Sequence, residues 1–151
     1  MFNKDMTNAN GKVLVQVFGQ DGKLKEERKI ENLVVNTGLA FISSRMAGTA
    51  SGVMSHMEVG TGTTTPAAAN TTLETAIGAS RVALTSTTVT ANAIEYIGDF
   101  PAGTGTGAVT EAGILNASSA GDLLCRTTFS VVNKGAADTL KITWTVTVAD
   151  S

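Results

Sequence analysis

The sequence holds one cysteine, Cys125, and one histidine, His56. A lone cysteine excludes an internal disulfide, so the fold must stand on packing. A zinc site needs three or four ligands at recognisable spacing, and neither residue sits in such a motif. Aromatic residues are only 5% of the chain, too few for a platform that stacks sugars or single-stranded nucleic acid. Charge is scarce as well: 16% of residues are Asp, Glu, Lys or Arg, against a usual share of about 25%. The 11 bases are outnumbered by 13 acids. A protein that binds duplex by neutralising phosphates needs the opposite balance, so no direct nucleic-acid contact is expected. No apolar run approaches the roughly 20 residues that cross a bilayer, and no basic amphipathic stretch suits a membrane surface. Residues 1–10 are polar and lack the apolar centre of a signal peptide, so synthesis in the cytoplasm is expected.

What fills the chain instead is small. Of 151 residues, 16 are Gly, 23 Thr and 20 Ala. Thr is stiff at χ1 and Gly loses backbone entropy in a helix, whereas Thr suits a half-exposed pleated surface. The composition predicts an all-β chain. At this length one domain is expected, because a chain of about 150 residues buries roughly 68–70% of its unfolded surface.

Residues 1–11, rich in Asn, Lys and Asp, read as a flexible arm ahead of a domain over 12–151. Val13, Val15 and Val17 alternate with Leu14, Gln16 and Phe18, predicting a strand. The Asp21-Gly22 dipeptide predicts a tight turn, followed by a highly charged strand from Lys23 to Ile30. Its Lys and Glu side chains predict an exposed or edge position. One short helix is expected near residues 37–47, capped by Asn36 or Thr37, with Leu39, Ile42 and Met46 at helical spacing. Further strands are predicted over 53–59, 81–84, 87–90, 93–100, 109–116 and 123–131, with a turn of helix over 71–77. In the last segment Leu140, Ile142, Trp144, Val146 and Val148 alternate strictly with Lys141, Thr143, Thr145 and Thr147. That spacing places Ile142, Trp144 and Val146 in a core under a Thr-covered outer face. Short strands split by Gly-rich turns predict a single-domain β-sandwich, jelly-roll-like in style.

Catalytic readings fare poorly. The run from Gly103 to Gly107 invites a phosphate-loop reading, but a phosphate loop needs a helix N-terminus after its glycines. Residues 109–115 read as strand, so a plain inter-strand loop is expected. Cys125 as a nucleophile has only His56 as a histidine base, and its apolar surroundings predict burial. Serine nucleophiles lack a Gly-x-Ser-x-Gly elbow. Glu58, Glu74, Glu95, Asp99, Glu111 and Asp122 are available for a glycosidase-like pair, although solvated strand carboxylates are the simpler account. No catalytic residue, cofactor or metal is expected.

Several segments in sequence form a recognisable series. Val17-Phe-Gly-Gln-Asp-Gly-Lys-Leu24 precedes Asn32-Leu-Val-Val-Asn-Thr-Gly-Leu-Ala-Phe-Ile-Ser-Ser-Arg45, then Met57-Glu-Val-Gly-Thr-Gly-Thr-Thr-Thr-Pro66. Phe100-Pro-Ala-Gly-Thr-Gly-Thr-Gly-Ala-Val-Thr-Glu-Ala-Gly-Ile-Leu115 follows, with Leu124-Cys-Arg-Thr-Thr-Phe129 and Lys134-Gly-Ala-Ala-Asp-Thr-Leu-Lys-Ile-Thr-Trp144 closing it. The series resembles a family of small virion proteins of tailed bacteriophages, some of which are cement (head decoration) proteins. The resemblance implies a jelly-roll-like sandwich, homo-dimers or homo-trimers, binding to the major capsid protein on the capsid surface, and no catalytic residues. Related sequences are also described as tail components, which keeps a tail-fibre receptor- or glycan-binding module as the alternative. The arm and the loops over 60–70 and 101–108 are the expected contact elements, because they are able to order on binding. Their candidate contact residues are Phe2, Asn3, Lys4, Thr61, Thr63, Thr64, Pro66, Thr104 and Thr106.

If Trp144 is a core residue, Trp144→Ala lowers the unfolding free energy by about 3–5 kcal/mol in urea titration. A loss below about 1 kcal/mol, the scale of a surface change, means that the inward face of the final strand is reversed.

Overall fold

The computed structural model describes residues 7–49 and 52–150. Two long strands open it, β1 (Thr7–Phe18) and β2 (Leu24–Val34), and a helix follows, α1 (Asn36–Met46). Seven more strands complete the chain: β3 (His56–Gly60), β4 (Val82–Ala83), β5 (Ser86–Thr90), β6 (Ala93–Phe100), β7 (Gly107–Leu115), β8 (Leu123–Lys134) and β9 (Thr139–Asp150). The all-β class read from composition is what the structure has. The hydrogen-bonded order is continuous, β4-β3-β7-β8-β2-β1-β9-β6-β5, so the nine strands form one curled antiparallel sheet. The pairings do not divide it into the two separate sheets of a jelly roll.

Curling is forced by the chain itself. Strands β4 and β5 lie at opposite edges of the order, yet only Leu84 and Thr85 separate them. Laid flat, nine strands at about 4.8 Å spacing put the edges roughly 38 Å apart. Three residue steps span at most about 11 Å. The edges must therefore come together, and consecutive amides record the crossing. Leu84 N–H donates to the Ser55 carbonyl (2.9 Å) beside one edge, and Thr85 N–H donates to the Ile97 carbonyl (2.7 Å) on β6, next to the other edge.

The core fills the concave side. Val13, Val15 and Val17 are buried as their spacing predicts, and Ile142, Trp144 and Val146 are 0%, 0% and 2% exposed. Gly98 on β6 faces Met57 on β3, where an added Cβ would lie 2.7 Å from the Met57 sulfur. Opposite stretches of the sheet thus touch across the interior. Gly11 on β1 leaves room for the Asn32 carboxamide, whose oxygen accepts the Trp144 indole N–H at 3.1 Å. That bond satisfies the one polar atom Trp144 carries into the core.

Four local expectations change. Residues 7–11, assigned to the arm, belong to β1, which pairs with both β2 and β9; residues 1–6 lie outside the described residues. The charged strand β2 is exposed along most of its length, as expected, but it is not an edge, since it lies between β1 and β8. Its ladder to β8 is confined to Leu33↔Arg126 and Val34↔Cys125. Further along, side chains bridge the seam. Arg28 donates to the carbonyls of Ser130 (3.2 Å) and Val131 (2.8 Å), and Glu26 accepts the Asn133 N–H (2.7 Å). Charged side chains there do the work of a backbone ladder, which is why the sequence pattern looks like an edge. Segment 71–77 makes no helical turn; Ala76 forms an isolated bridge to Gly60. Finally, α1 has no side-chain cap, because its N-cap position is Val35, which carries no acceptor; Asn36 and Thr37 already lie in its first turn, where the Thr37 hydroxyl donates to the Leu123 carbonyl (2.7 Å).

The helix seats on β8 through Gly38, its one buried residue, where any Cβ would collide with the Leu124 carbonyl group. Phe41 and Ile42 pack against the core, whereas Leu39 and Met46 are exposed. The apolar spacing read in the helix is therefore only partly used inside the domain.

The turn joining β5 to β6 holds Ala91 at φ +53°, a region in which a side chain strains the backbone. Ala91→Gly is expected to stabilise the protein by about 0.5–1 kcal/mol, the scale of replacing a side chain at positive φ. It should raise the melting temperature by about 2–4 °C or slightly less. A fall in melting temperature contradicts this account of the turn.

Candidate functional site

The strand directions give the curled sheet two ends with different surfaces. At one end lie the β1–β2 turn, the β6–β7 loop and the β8–β9 turn. Gly103 N–H donates to the Ala136 carbonyl (2.9 Å), tying two of these together. Lys25 pairs with Asp138 at 2.9 Å, tying in the strand that leaves the first turn. Buried Lys134 donates to the carbonyls of Pro101 (3.0 Å) and Asp138 (2.8 Å). Burial holds the Lys134 ammonium below the usual lysine range, even though the Asp138 charge works the other way. Asp138 is held below the usual carboxylate range by the Lys25 hydrogen bond first and by the Gly135 N–H second. Thr104 and Thr106 project from this clasp, half-buried and exposed respectively.

The loop after β3 is ordered by a buried ion pair that sequence reading did not identify. Glu111 and Arg126 are 0% and 1% exposed and lie on the outer face of β7 and β8. One Glu111 oxygen accepts N–H groups from Gly62 (3.0 Å) and Thr75 (2.7 Å). The other accepts from Glu74 N–H (3.0 Å) and the Arg126 guanidinium (2.8 Å). Arg126 continues to Asn70 (3.2 Å) and Glu74 (3.3 Å), and Glu74 in turn accepts the Thr64 N–H (2.9 Å). Burial by itself would raise the Glu111 carboxyl; the donors from Thr75, Arg126, Glu74 and Gly62 outweigh it and hold the group below its usual range. Gly60 and Gly62 are required here, since a Cβ on either would run into the Glu111 carboxylate.

The predicted contact residues do not converge on one patch. Thr61, Thr63 and Thr64 are exposed along the ordered loop, while Pro66 lies over the β2–β8 seam beside Thr65, Glu31 and Thr127. Thr104 and Thr106 belong to the clasp. Phe2, Asn3 and Lys4 lie outside the described residues, and β1 begins at the far end of the sheet. That far end carries a surface the sequence reading missed. An apolar groove of about 450 Å³ runs between α1 and the concave faces of β5, β6 and β9. Met46, Val53 and Val89 on its rim are 86%, 57% and 68% exposed. The available signal was the unused half of the helical spacing together with Val89 in a short, uncharged edge strand.

Most groups weighed for chemistry sit in structural roles; Glu95, half-buried on β6, makes no side-chain hydrogen bond or ion pair among the described residues. Glu58 pairs with Arg81 (3.0 Å), which also donates to the Ala117 and Ala120 carbonyls. Asp99 accepts the Thr85 hydroxyl (2.7 Å), and Asp122 contacts Asn116. His56 Nδ1 lies 2.8 Å from the Ser55 hydroxyl. Cys125 is fully buried and its thiol is pushed up by burial; Tyr96, also buried, is pushed up to about 12 by desolvation and the neighbouring Cys125. The run over 103–107 joins β6 to β7, and the element after it is a strand. Among the described residues, no three His, Cys, Asp or Glu side chains gather as metal ligands would. Comparison with known protein families, curated proteins and solved structures finds no match.

Breaking the buried pair leaves one charge uncompensated, so Arg126→Met should cost about 3–5 kcal/mol in denaturant titration. The pH dependence has a definite sign. A carboxyl lowered by folding contributes stability that is full above its unfolded value and is lost as pH falls through its folded value. Glu111→Gln should therefore flatten the acid limb of the stability–pH curve. An unchanged limb rules out this residue as a source of acid sensitivity.

Proposed function

We infer that this chain is a structural interaction protein, a cement protein that binds the outside of a bacteriophage capsid and ties major capsid subunits together. One observation carries the reading: the carboxylates Glu58, Glu74, Asp99, Glu111 and Asp138 are all engaged in holding loops and strands. What the chain presents outward beside the clasp is threonine-bearing loop, with Thr61, Thr63, Thr64 and Thr106 exposed. Such a surface suits adhesion. The sequence resemblance supplies the partner, the major capsid protein, and self-association as dimer or trimer. A near-neutral surface meets a shell without strong steering, and many weak sites on one particle multiply by avidity.

Sugar recognition by a tail fibre is the less favoured reading, because Trp144, Tyr96 and Phe100 are 0%, 6% and 0% exposed and occupied in the core.

The test is co-sedimentation of the purified chain with heads that lack it, with bound copies counted per capsid. Saturable binding is expected. Replacing Thr104 and Thr106 together by Glu should weaken it by about tenfold or more, as a charge placed in a contact does. Heads that never retain the chain refute the reading, and full occupancy by the double variant removes the clasp end from the contact.

A further inference from the structure

We propose that the apolar groove between α1 and the sheet is the binding site for the chain's own N-terminal segment, residues 1–6, with Phe2 as its anchor. This inference is independent of the capsid reading. The groove is lined by Phe41, Ile42, Met46, Val89, Ile94 and Val148, which leave apolar surface facing outward at the open end of the core. Exposed apolar side chains gathered around a concavity mark a place where something apolar sits.

The place where β1 starts identifies the occupant. Strand β1 starts at Thr7 on the end of the sheet that holds the groove, in register with Asp150. Ala9, two residues on, lies directly opposite Val148 of the groove wall. From Thr7 to Phe2 the chain covers five residue steps, a reach of roughly 17 Å. The groove extends from β9 across β6 to β5, and its far wall lies three strand spacings from β1, about 14 Å, so Phe2 reaches all of it. The segment reads Met1-Phe2-Asn3-Lys4-Asp5-Met6, with half its residues apolar. A tethered segment this short is present at an effective concentration on the order of millimolar, ahead of any partner in dilute solution.

Site-directed cross-linking in the full chain tests this. A cysteine at Asn3, next to the anchor, is paired with a cysteine at Val148 or at Thr147. These neighbours are equally reachable but point to opposite faces of β9. Cys125 is fully buried and does not compete. We expect intramolecular cross-linking of N3C/V148C to be about tenfold faster than that of N3C/T147C, consistent with burial of one aromatic side chain. The preference should vanish when Phe2→Ser is added. Equal rates for the two pairs overturn the proposal. So does cross-linking that joins two chains and slows on dilution, which assigns the groove to a second copy.

Discussion

The fold depends on a connection too short for its sheet. Two residues join β4 to β5, and these strands are the opposite edges of a nine-stranded order. A flat or gently twisted sheet is incompatible with that link. The strands curl until the edges lie within reach of consecutive amides, and the concave face closes over the valines, Ile142 and Trp144. Much else follows from this closure. Gly98 leaves room for Met57, which presses on it from across the interior and would have to shift for any side chain there. Neither edge strand is left as a long open ladder, which is the usual danger of an antiparallel sheet in solution.

A second constraint acts on the outer face. The pair of Glu111 and Arg126 is buried beneath a loop that has almost no hydrophobic anchor except Leu73. Charge and hydrogen bonds therefore organise what apolar packing cannot, and the loop's backbone N–H groups converge on a single carboxylate. Such a pair contributes less to net stability than its geometry suggests, since desolvation opposes it. Its effect is on conformation: four donors in fixed directions define where residues 62–75 run. A Thr-rich segment that reads as flexible is thereby held as a defined surface.

The strict alternations were legible because each residue reports its own face. Val13 to Val17 and Leu140 to Val146 needed only the two-residue period of a strand, and they marked the core correctly. The class of fold followed from the same signal. Three features were not legible, each for a physical reason. The place of β2 was hidden because Glu26 and Arg28 replace ladder hydrogen bonds with side-chain ones, and charge in a strand otherwise signals an edge. The Glu111–Arg126 pair was hidden because its partners, from Gly62 to Arg126, are brought together only by tertiary folding. The groove was hidden because its walls come from α1, β5, β6 and β9, with each element supplying only a few apolar residues. Of the candidate contacts, the loop positions were recognisable as surface from composition, but their division between two separate regions required the strand directions.

The seam between β2 and β8 has a mechanical consequence. Around most of the curled sheet, neighbouring strands are riveted by rows of amides that yield only together. Along this line, beyond the short ladder at Leu33 and Val34, the fastening is two long side chains, Arg28 and Glu26, which pivot and stretch one at a time. The two-residue link between β4 and β5 makes the other closure covalent. A ring with one inextensible tie and one elastic fastening distorts in a preferred way: it opens along the seam, as a cuff does, while its remaining strands move as rigid leaves.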